Sequence, residues 1–404
     1  MVTTLLLLGW ILGSQNPGIG PVREVVTPAS ANSGEPNLTV GKSGVFLSWI
    51  ERNADNTQSV KYALFRGNRF MPTRIIHTAP DLFVNWADFP MLIELENRTL
   101  VAHWLQRNGR GTYAYGVRAS TSRDGVRWSA PFTVHSDTSQ AEHGFVSLFR
   151  AGPSRAGVIW LDGYKYGVAQ AAARAAGRAS SDVEAEMTVR YRTIGANGIL
   201  GDESEIDARA CDCCQTSVAL TASGPVVVFR DRSEGEVRDI AVSRMINGKW
   251  SAPRRVHADN WVINACPVNG PSIDARGARV AVAWFTAARD TSRVNVAFSN
   301  DAAARFGAPV RVDDGAPAGR VDTQLLDDGS ALVTWLERVD KGAEVRLRRI
   351  WPNGRRSAAV TIAKSTGERP SGFPQMVRNG SQLVFAWTDS ERPARVRVAT
   401  AEIR

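Results

Sequence analysis

One arrangement of apolar and polar positions recurs along the whole chain. Three or four apolar residues lead to a Trp or Phe, and a polar residue follows two places on. The copies run Val45–Glu51, Leu100–Gln106, Val158–Asp162, Val226–Asp231, Val280–Thr286, Leu332–Glu337 and Leu383–Asp389. Their aromatic residues, Trp49, Trp104, Trp160, Phe229, Trp284, Trp335 and Trp387, are spaced by 55, 56, 69, 55, 51 and 52 residues. Period-two alternation and β-branched content predict strands and exclude helical repeats of similar length. A short strand precedes each copy, as at Pro36–Val40, Pro90–Ile93 and Pro271–Ile273. An alternating strand follows, as at Val60–Phe65 and Val294–Phe298, and a turn leads to a fourth strand, as at Trp128–Val134, Trp250–Val256 and Phe306–Val312.

Four short strands per unit of 50–55 residues describe one blade of a β-propeller. Seven units predict an all-β chain folded as a single seven-bladed propeller over residues 21–404. Residues 394–404 read as a third strand with nothing after it, and residues 22–27 as a fourth strand with nothing before it. Paired, they complete the seventh blade and close the ring, which removes sheet edges that would invite aggregation. The aromatic residues are expected to pack between blades. The long interval from 160 to 229 holds an Ala-, Arg- and Ser-rich insertion over 163–185, placed to overhang the channel mouth with Tyr164 and Tyr166.

Loops between blades and loops after each second strand share one face of such a ring. That places Glu51, Gln106, Asp162, Asp231, Glu337 and Asp389 near inter-blade loops carrying Asp88, His143, Cys211–Gln215, Cys266 and Arg320. Two carboxyls about 5–10 Å apart suit glycoside hydrolysis, and Asp231, Asp162 and Glu337 are the catalytic candidates. The alternative is that these residues satisfy backbone donors in the channel. Arg230 and Arg232 flank Asp231, and guanidinium is the group for bidentate recognition of a carboxylate. With Asp88, His143 and Arg320 they form the candidate ligand-binding set.

All four cysteines, Cys211, Cys213, Cys214 and Cys266, fall in two consecutive inter-blade loops, which the ring makes neighbours. An even count in an oxidising compartment points to two disulfides. A thiolate site for copper or zinc, joined by His143, is the competing reading.

Ser122-Arg-Asp124-Gly-Val-Arg-Trp128 resembles the Asp box of sialidase-like (BNR) propellers, and Ser299-Asn-Asp301-Ala-Ala-Ala-Arg-Phe306 is a second, glycine-free version. The Cys-x-Cys-Cys segment and Cys266-Pro-Val-Asn-Gly-Pro are similar to bacterial secreted proteins described as exo-α-sialidases. The resemblance spans essentially the whole chain at repeat level. It implies six blades as the alternative count, structural Asp boxes opposite the binding face, and a sialidase-like hydrolase. The Arg-Ile-Pro segment of that family has no counterpart; the early arginines are Arg23, Arg52 and Arg66.

Composition narrows the ligand. The chain carries a net charge of +9, which suits an anionic partner such as an acidic sugar, but the charges are scattered as on a solvated basic surface and no nucleic-acid motif is present. The apolar run Leu5–Leu12 has the length of a signal-peptide core and is too short to span a bilayer. It predicts a leader over residues 1–20 and a secreted or periplasmic monomer that is not an integral membrane protein. Two functions stay open: a propeller that binds or hydrolyses a glycan or other anionic ligand, and a non-enzymatic propeller whose cysteine cluster serves protein interaction.

Overall fold

The computed structural model describes residues 16–179 and 183–404; residues 1–15, which hold most of the expected leader, lie outside them. Seven antiparallel sheets follow one another along the chain. Blade one runs outward from Ser33–Gly41 through Gly44–Arg52 and Gln58–Arg66 to an edge split into Arg69–Phe70 and Arg74–Ala79. Blades two to six begin at the innermost strands Met91–Glu94, His143–Gly152, Ser217–Thr221, Ser272–Arg276 and Pro317–Leu325. Blade seven consists of Gln375–Asn379, Gln382–Asp389, Arg395–Glu402 and, at its outer edge, Arg23–Val25 from the start of the chain. Glu24 pairs with Ala399, so the ring closes as the repeat predicts, with seven blades rather than six.

The closure extends further toward the N-terminus than the sequence suggests. Ile19 bridges Ile403 and is 3% exposed, the Gly20 N–H donates to the Glu402 carbonyl at 2.7 Å, and the Arg404 N–H donates to the Gly18 carbonyl at 2.7 Å. A leader ending at residue 20 would remove part of this edge. Residues 18–20 thus belong to the closing edge of blade seven.

The core divides into seven apolar clusters among the described residues, one at each contact between adjacent blades. Each cluster contains one of the seven repeat aromatics, from Trp49 between blades seven and one to Trp387 between blades six and seven. A buried aromatic side chain removes roughly 150–250 Å² from water, several kcal/mol each, so one per interface is a large share of what holds the ring.

A buried indole N–H also needs an acceptor. Residues two apart on a strand point to the same side, and in four of the seven repeats the polar residue supplies it. Trp49, Trp104, Trp160 and Trp335 donate to Glu51, Gln106, Asp162 and Glu337 at 3.0, 3.3, 2.7 and 2.5 Å. Trp284, which is followed by Thr286, turns to Asp259 at 2.6 Å. Phe229 has no N–H to donate, which leaves Asp231 outside this pattern.

The insertion in blade three forms a helix, Tyr164–Ala175, with Gly167 and Ala173 buried. Its alanine content favours a helix. Lys165 Nζ anchors it to the Ala208 carbonyl at 2.6 Å, and the Arg190 guanidinium lies over the Tyr164 ring. No helix among the described residues is long and apolar enough to cross a membrane.

Candidate functional site

Each innermost strand begins on the same face, so the inter-blade loops and the hairpins after the second strands crown that face together. The innermost strands line an axial channel of about 180 Å³, polar at Ser147, Thr216, Ser272 and Thr323. Gln215 spans its mouth. Its Nε2 donates to the Ala87 carbonyl at 2.6 Å, and its Oε1 accepts from the Gly270 N–H at 3.0 Å. Gly270 fits there because a Cβ would lie 2.1 Å from the Gln215 carbonyl oxygen.

Most of the sequence candidates on this face turn out to be committed to the framework. Asp162 and Glu337 are buried indole acceptors, and Glu337 Oε1 also accepts from the Ala316 N–H at 2.7 Å. Both carboxylates, expected as catalytic acids, are thus held by donors of the framework. Asp231, the third, is half-buried; its backbone bridges Ala210 and its carboxylate accepts from the Arg232 N–H at 2.8 Å.

Arg230 is 1% exposed and donates to the carbonyls of Asn269, Arg238 and Phe285. Arg320 is also buried and donates to Ser371 Oγ and to the Gly372, Gly367 and Glu368 carbonyls. Burial pushes its pKa down to about 10. Four of the five N–H donors of each guanidinium are spent on oxygens of the framework, so neither offers a free bidentate fork to a ligand. Arginine was read there as a solvent-facing anion grip; the backbone carbonyls of neighbouring blades claim it first.

Asp88 is buried and accepts from the Phe145 N–H at 2.6 Å, holding the bulge where blade three begins; burial raises its pKa to about 7. His143 is buried and stacked on His135 at 3.7 Å. Its Nε2 meets Asp137 at 3.1 Å and Asp162 at 3.6 Å, and its Nδ1 faces the Ala141 carbonyl at 3.0 Å. Burial opposes its charged form, but Asp137 and Asp162 outweigh it and raise the imidazole pKa. The ring sits between Asp137 and Asp162, and His143 does not join the cysteines.

The cysteines do converge. Cys213 and Cys266 form a disulfide between the loops that precede blades four and five. Cys211 and Cys214 are buried thiols with Sγ atoms 2.8 Å apart. The adjacent Cys213–Cys214 pair is therefore not bridged. Arg238 Nη1 stands 3.5 Å from Cys211 Sγ, which suits a thiolate and opposes a metal cation. Arg232 and Arg238 share Glu236 at 3.0 and 2.9 Å and approach Asp212 at 3.6 and 3.8 Å, so Arg232 keeps only partial exposure.

Across the channel mouth, blades seven, one and two enclose a cleft of about 820 Å³ lined by Glu35, Arg52, Trp86, Thr388, Arg369 and Arg392. The three arginines are exposed and Trp86 is half-exposed. Trp86 is held flat from beneath, its ring 5.7 Å from Phe373 and 4.9 Å from the Arg320 guanidinium. Arg320 thus supports a platform rather than a ligand.

Glu35 occupies a bulge in the innermost strand with φ +53°, a strained conformation for glutamate. Its side chain is 9% exposed; one oxygen meets Arg52 at 3.1 Å, while Oε2 is buried with no hydrogen-bond partner. Burial raises its pKa against the opposing pull of Arg52.

The opposite face holds the Asp-box turns. Asp124 Oδ1 accepts from the Val126 and Arg127 N–H groups at 2.9 and 2.8 Å, and the Gly125 N–H donates to Ser122 Oγ at 2.9 Å. The ring of Trp128 packs beside Tyr62. In the second turn Asp301 and Ser299 play the same parts toward Arg305 and Ala303, beside Phe306. Ala302 and Ala303 there adopt positive φ without glycine.

No family model matches the sequence, and no curated protein does. Among solved structures, the chain is similar to the polysaccharide lyase Uly1 (TM-score 0.54, 9% identity), with 98% of this chain and 94% of that chain covered. It is similar to a family PL25 ulvan lyase bound to -[GlcA(1-4)Rha3S]- (TM-score 0.50, 10% identity), with 82% and 80% covered. A Trypanosoma rangeli sialidase aligns at a TM-score of 0.45 with 8% identity, over 84% of this chain and 57% of that one. At these identities the likeness to the two lyases shows the propeller fold alone.

Glu35 and Arg369 give no signal in the sequence; Trp86 lies in the inter-blade loop that carries Asp88 and Arg392 in a basic cluster over 392–397, and Arg52 stands out only for lacking a family context. Glu35 is the first of two residues that bulge between the paired positions Gly34 and Asn37. The equivalent places in blades three and six carry Phe145 and Arg320, also at positive φ.

Proposed function

We propose that the protein is a secreted carbohydrate-active propeller that binds an acidic saccharide in the cleft of blades seven, one and two and hydrolyses its glycosidic bond. One observation carries the reading: an aromatic platform, three exposed arginines and a shielded carboxyl line a single cleft. A sugar ring lays its C–H face on the Trp86 indole, and its acidic group meets Arg52, Arg369 and Arg392, whose planar forks match a carboxylate or sulfate. Glu35, shielded from water, keeps its proton to higher pH than an exposed glutamate and donates it to the leaving oxygen. The C–O bond breaks, water adds its hydroxyl to the anomeric carbon, and the second water proton returns to Glu35.

The two polysaccharide lyases of the same fold support the carbohydrate half of this reading. The Leu5–Leu12 run and the Cys213–Cys266 bridge support export to an oxidising compartment. The leader then ends before Asn16.

The test is titration of Trp fluorescence with sialyllactose, a glucuronate-containing oligosaccharide and neutral lactose. At least one acidic sugar should bind and lactose should not. Arg52→Ala, Arg369→Ala and Arg392→Ala should each weaken binding by roughly 10- to 100-fold, the size of a lost charge-assisted bond. Release of reducing ends then reports cleavage, and which acidic sugar is cut decides the exo-α-sialidase specificity. Equal affinity for lactose, or wild-type affinity in all three variants, removes the reading.

A further inference from the structure

The proposed sugar cleft uses none of the four cysteines. Cys266 is exposed at the rim and bonded to half-buried Cys213, while Cys211 and Cys214 lie buried beneath. The sulfurs of Cys211, Cys213 and Cys214 all lie within 4.8 Å of one another. A thiol on Cys211 or Cys214 therefore faces two sulfur partners, one already in a disulfide. Arg238, itself 3% exposed, points Nη1 at Cys211 Sγ from 3.5 Å. A guanidinium there stabilises the thiolate, the form that attacks a disulfide. The Cys214 S–H can in turn donate to that thiolate across 2.8 Å.

We infer that the four cysteines form a thiol–disulfide relay, in which the buried Cys211–Cys214 pair reduces the surface Cys213–Cys266 bridge and becomes oxidised in its place. In the first step the Cys211 thiolate attacks Cys213 Sγ. The Cys211–Cys213 bond forms, the Cys213–Cys266 bond breaks, and the electron pair leaves on Cys266, which takes a proton from solvent. In the second step Cys214 releases its proton and attacks Cys211. The Cys211–Cys214 bond forms and the pair leaves on Cys213. Two electrons have moved from the buried pair to the surface pair with no external oxidant, and the exposed Cys266 is presented as a thiol to a disulfide-bearing partner. Burial tends to raise both buried thiols, but the Cys214 hydrogen bond and the Arg230 and Arg238 charges pull Cys211 below its usual value, while Cys214 is pushed up. That asymmetry makes Cys211 the attacking sulfur. The exchange also unties the loop before blade five from the loop before blade four, leaving the Gln215–Gly270 hydrogen bond to hold the channel mouth.

The test is peptide mapping of protein poised at one disulfide per chain in glutathione buffers, then freed of glutathione, quenched in acid at intervals and alkylated. Wild type should contain two one-bridge isomers, Cys213–Cys266 and Cys211–Cys214, that interconvert without added thiol. Cys211→Ser should hold only Cys213–Cys266. Cys214→Ser should stop halfway, accumulating Cys211–Cys213 with Cys266 alkylated. A wild-type sample that keeps one isomer overnight overturns the relay, as does a Cys214→Ser protein indistinguishable from Cys211→Ser. The wild-type arm needs no substitution, so a variant that fails to fold does not shield the idea.

Discussion

Replacing Glu337 by leucine separates a structural carboxylate from a catalytic one. Glu337 is 3% exposed, and its two oxygens accept from Trp335 Nε1 at 2.5 Å and from the Ala316 N–H at 2.7 Å. Leucine has a similar volume but accepts nothing, so both donors are left buried and unpaired. Each orphaned donor costs about 1–3 kcal/mol, which gives a loss of roughly 2–6 kcal/mol. Against a typical native stability of about 5–15 kcal/mol this is a large fraction, readable as a lower urea midpoint with unchanged slope. Trp335→Phe removes one of the two donors. In the double variant its cost should therefore fall by about 1–3 kcal/mol relative to its cost in wild type. The assay is equilibrium urea unfolding followed by far-UV circular dichroism on all four proteins. The reasoning fails if Glu337→Leu unfolds within about 0.5 kcal/mol of wild type, the range of an ordinary surface change. It fails equally if the two substitutions simply add.

Other outcomes follow from the same geometry. Arg230→Ala leaves three buried carbonyls without their donor and should cost about 3 kcal/mol or more in urea unfolding, a loss that an arginine reserved for ligand would not show. Because burial holds Asp88 at about 7, the folded chain keeps a proton that the unfolded chain loses near pH 4. Stability should therefore fall as pH rises from about 4 to about 7, and Asp88→Asn should flatten that slope by up to about 1.4 kcal/mol per pH unit in pH-dependent melts. Trp86→Ala should weaken binding of the acidic saccharide at least tenfold in calorimetric titration, while Trp86→Phe, which keeps a ring over Phe373, should retain more of it. Gly270→Ala should destabilise the channel mouth, because the added methyl meets the Gln215 backbone; an unchanged melting temperature would contradict that contact.

The ring itself was legible because its physics repeats. Each blade must bury one face against the next, so a large aromatic recurs at one position, and its indole N–H demands the acceptor two residues on. That second half of the motif looked like a ring of acids available for catalysis. In Asp162 and Glu337 it is instead the cost of burying an indole, and only the side-chain geometry distinguishes the two. The cysteine loops were legible as neighbours for the same reason: consecutive blades are adjacent whatever their sequences. Which sulfur bonds which was not, since Cys211, Cys213 and Cys214 lie too close in the chain for spacing to choose among them.

Sequence alone determined the number of blades, the strand that closes the ring, the face that carries the loops, and the excess of positive charge. These follow from local periodicity and from the requirement that every blade be covered. The tertiary structure alone decided which polar groups remain free. Arg230 and Arg320 look like ligand arginines in the chain but are consumed by carbonyls from other blades. Glu35 looks like a strand residue, yet its carboxyl is shielded in a cleft whose arginines come from positions 52, 369 and 392. Desolvation and hydrogen-bond partnership depend on what the rest of the fold places around a group, and for Glu35 Arg52 comes from its own blade while Arg369, Thr388 and Arg392 come from the opposite end of the chain.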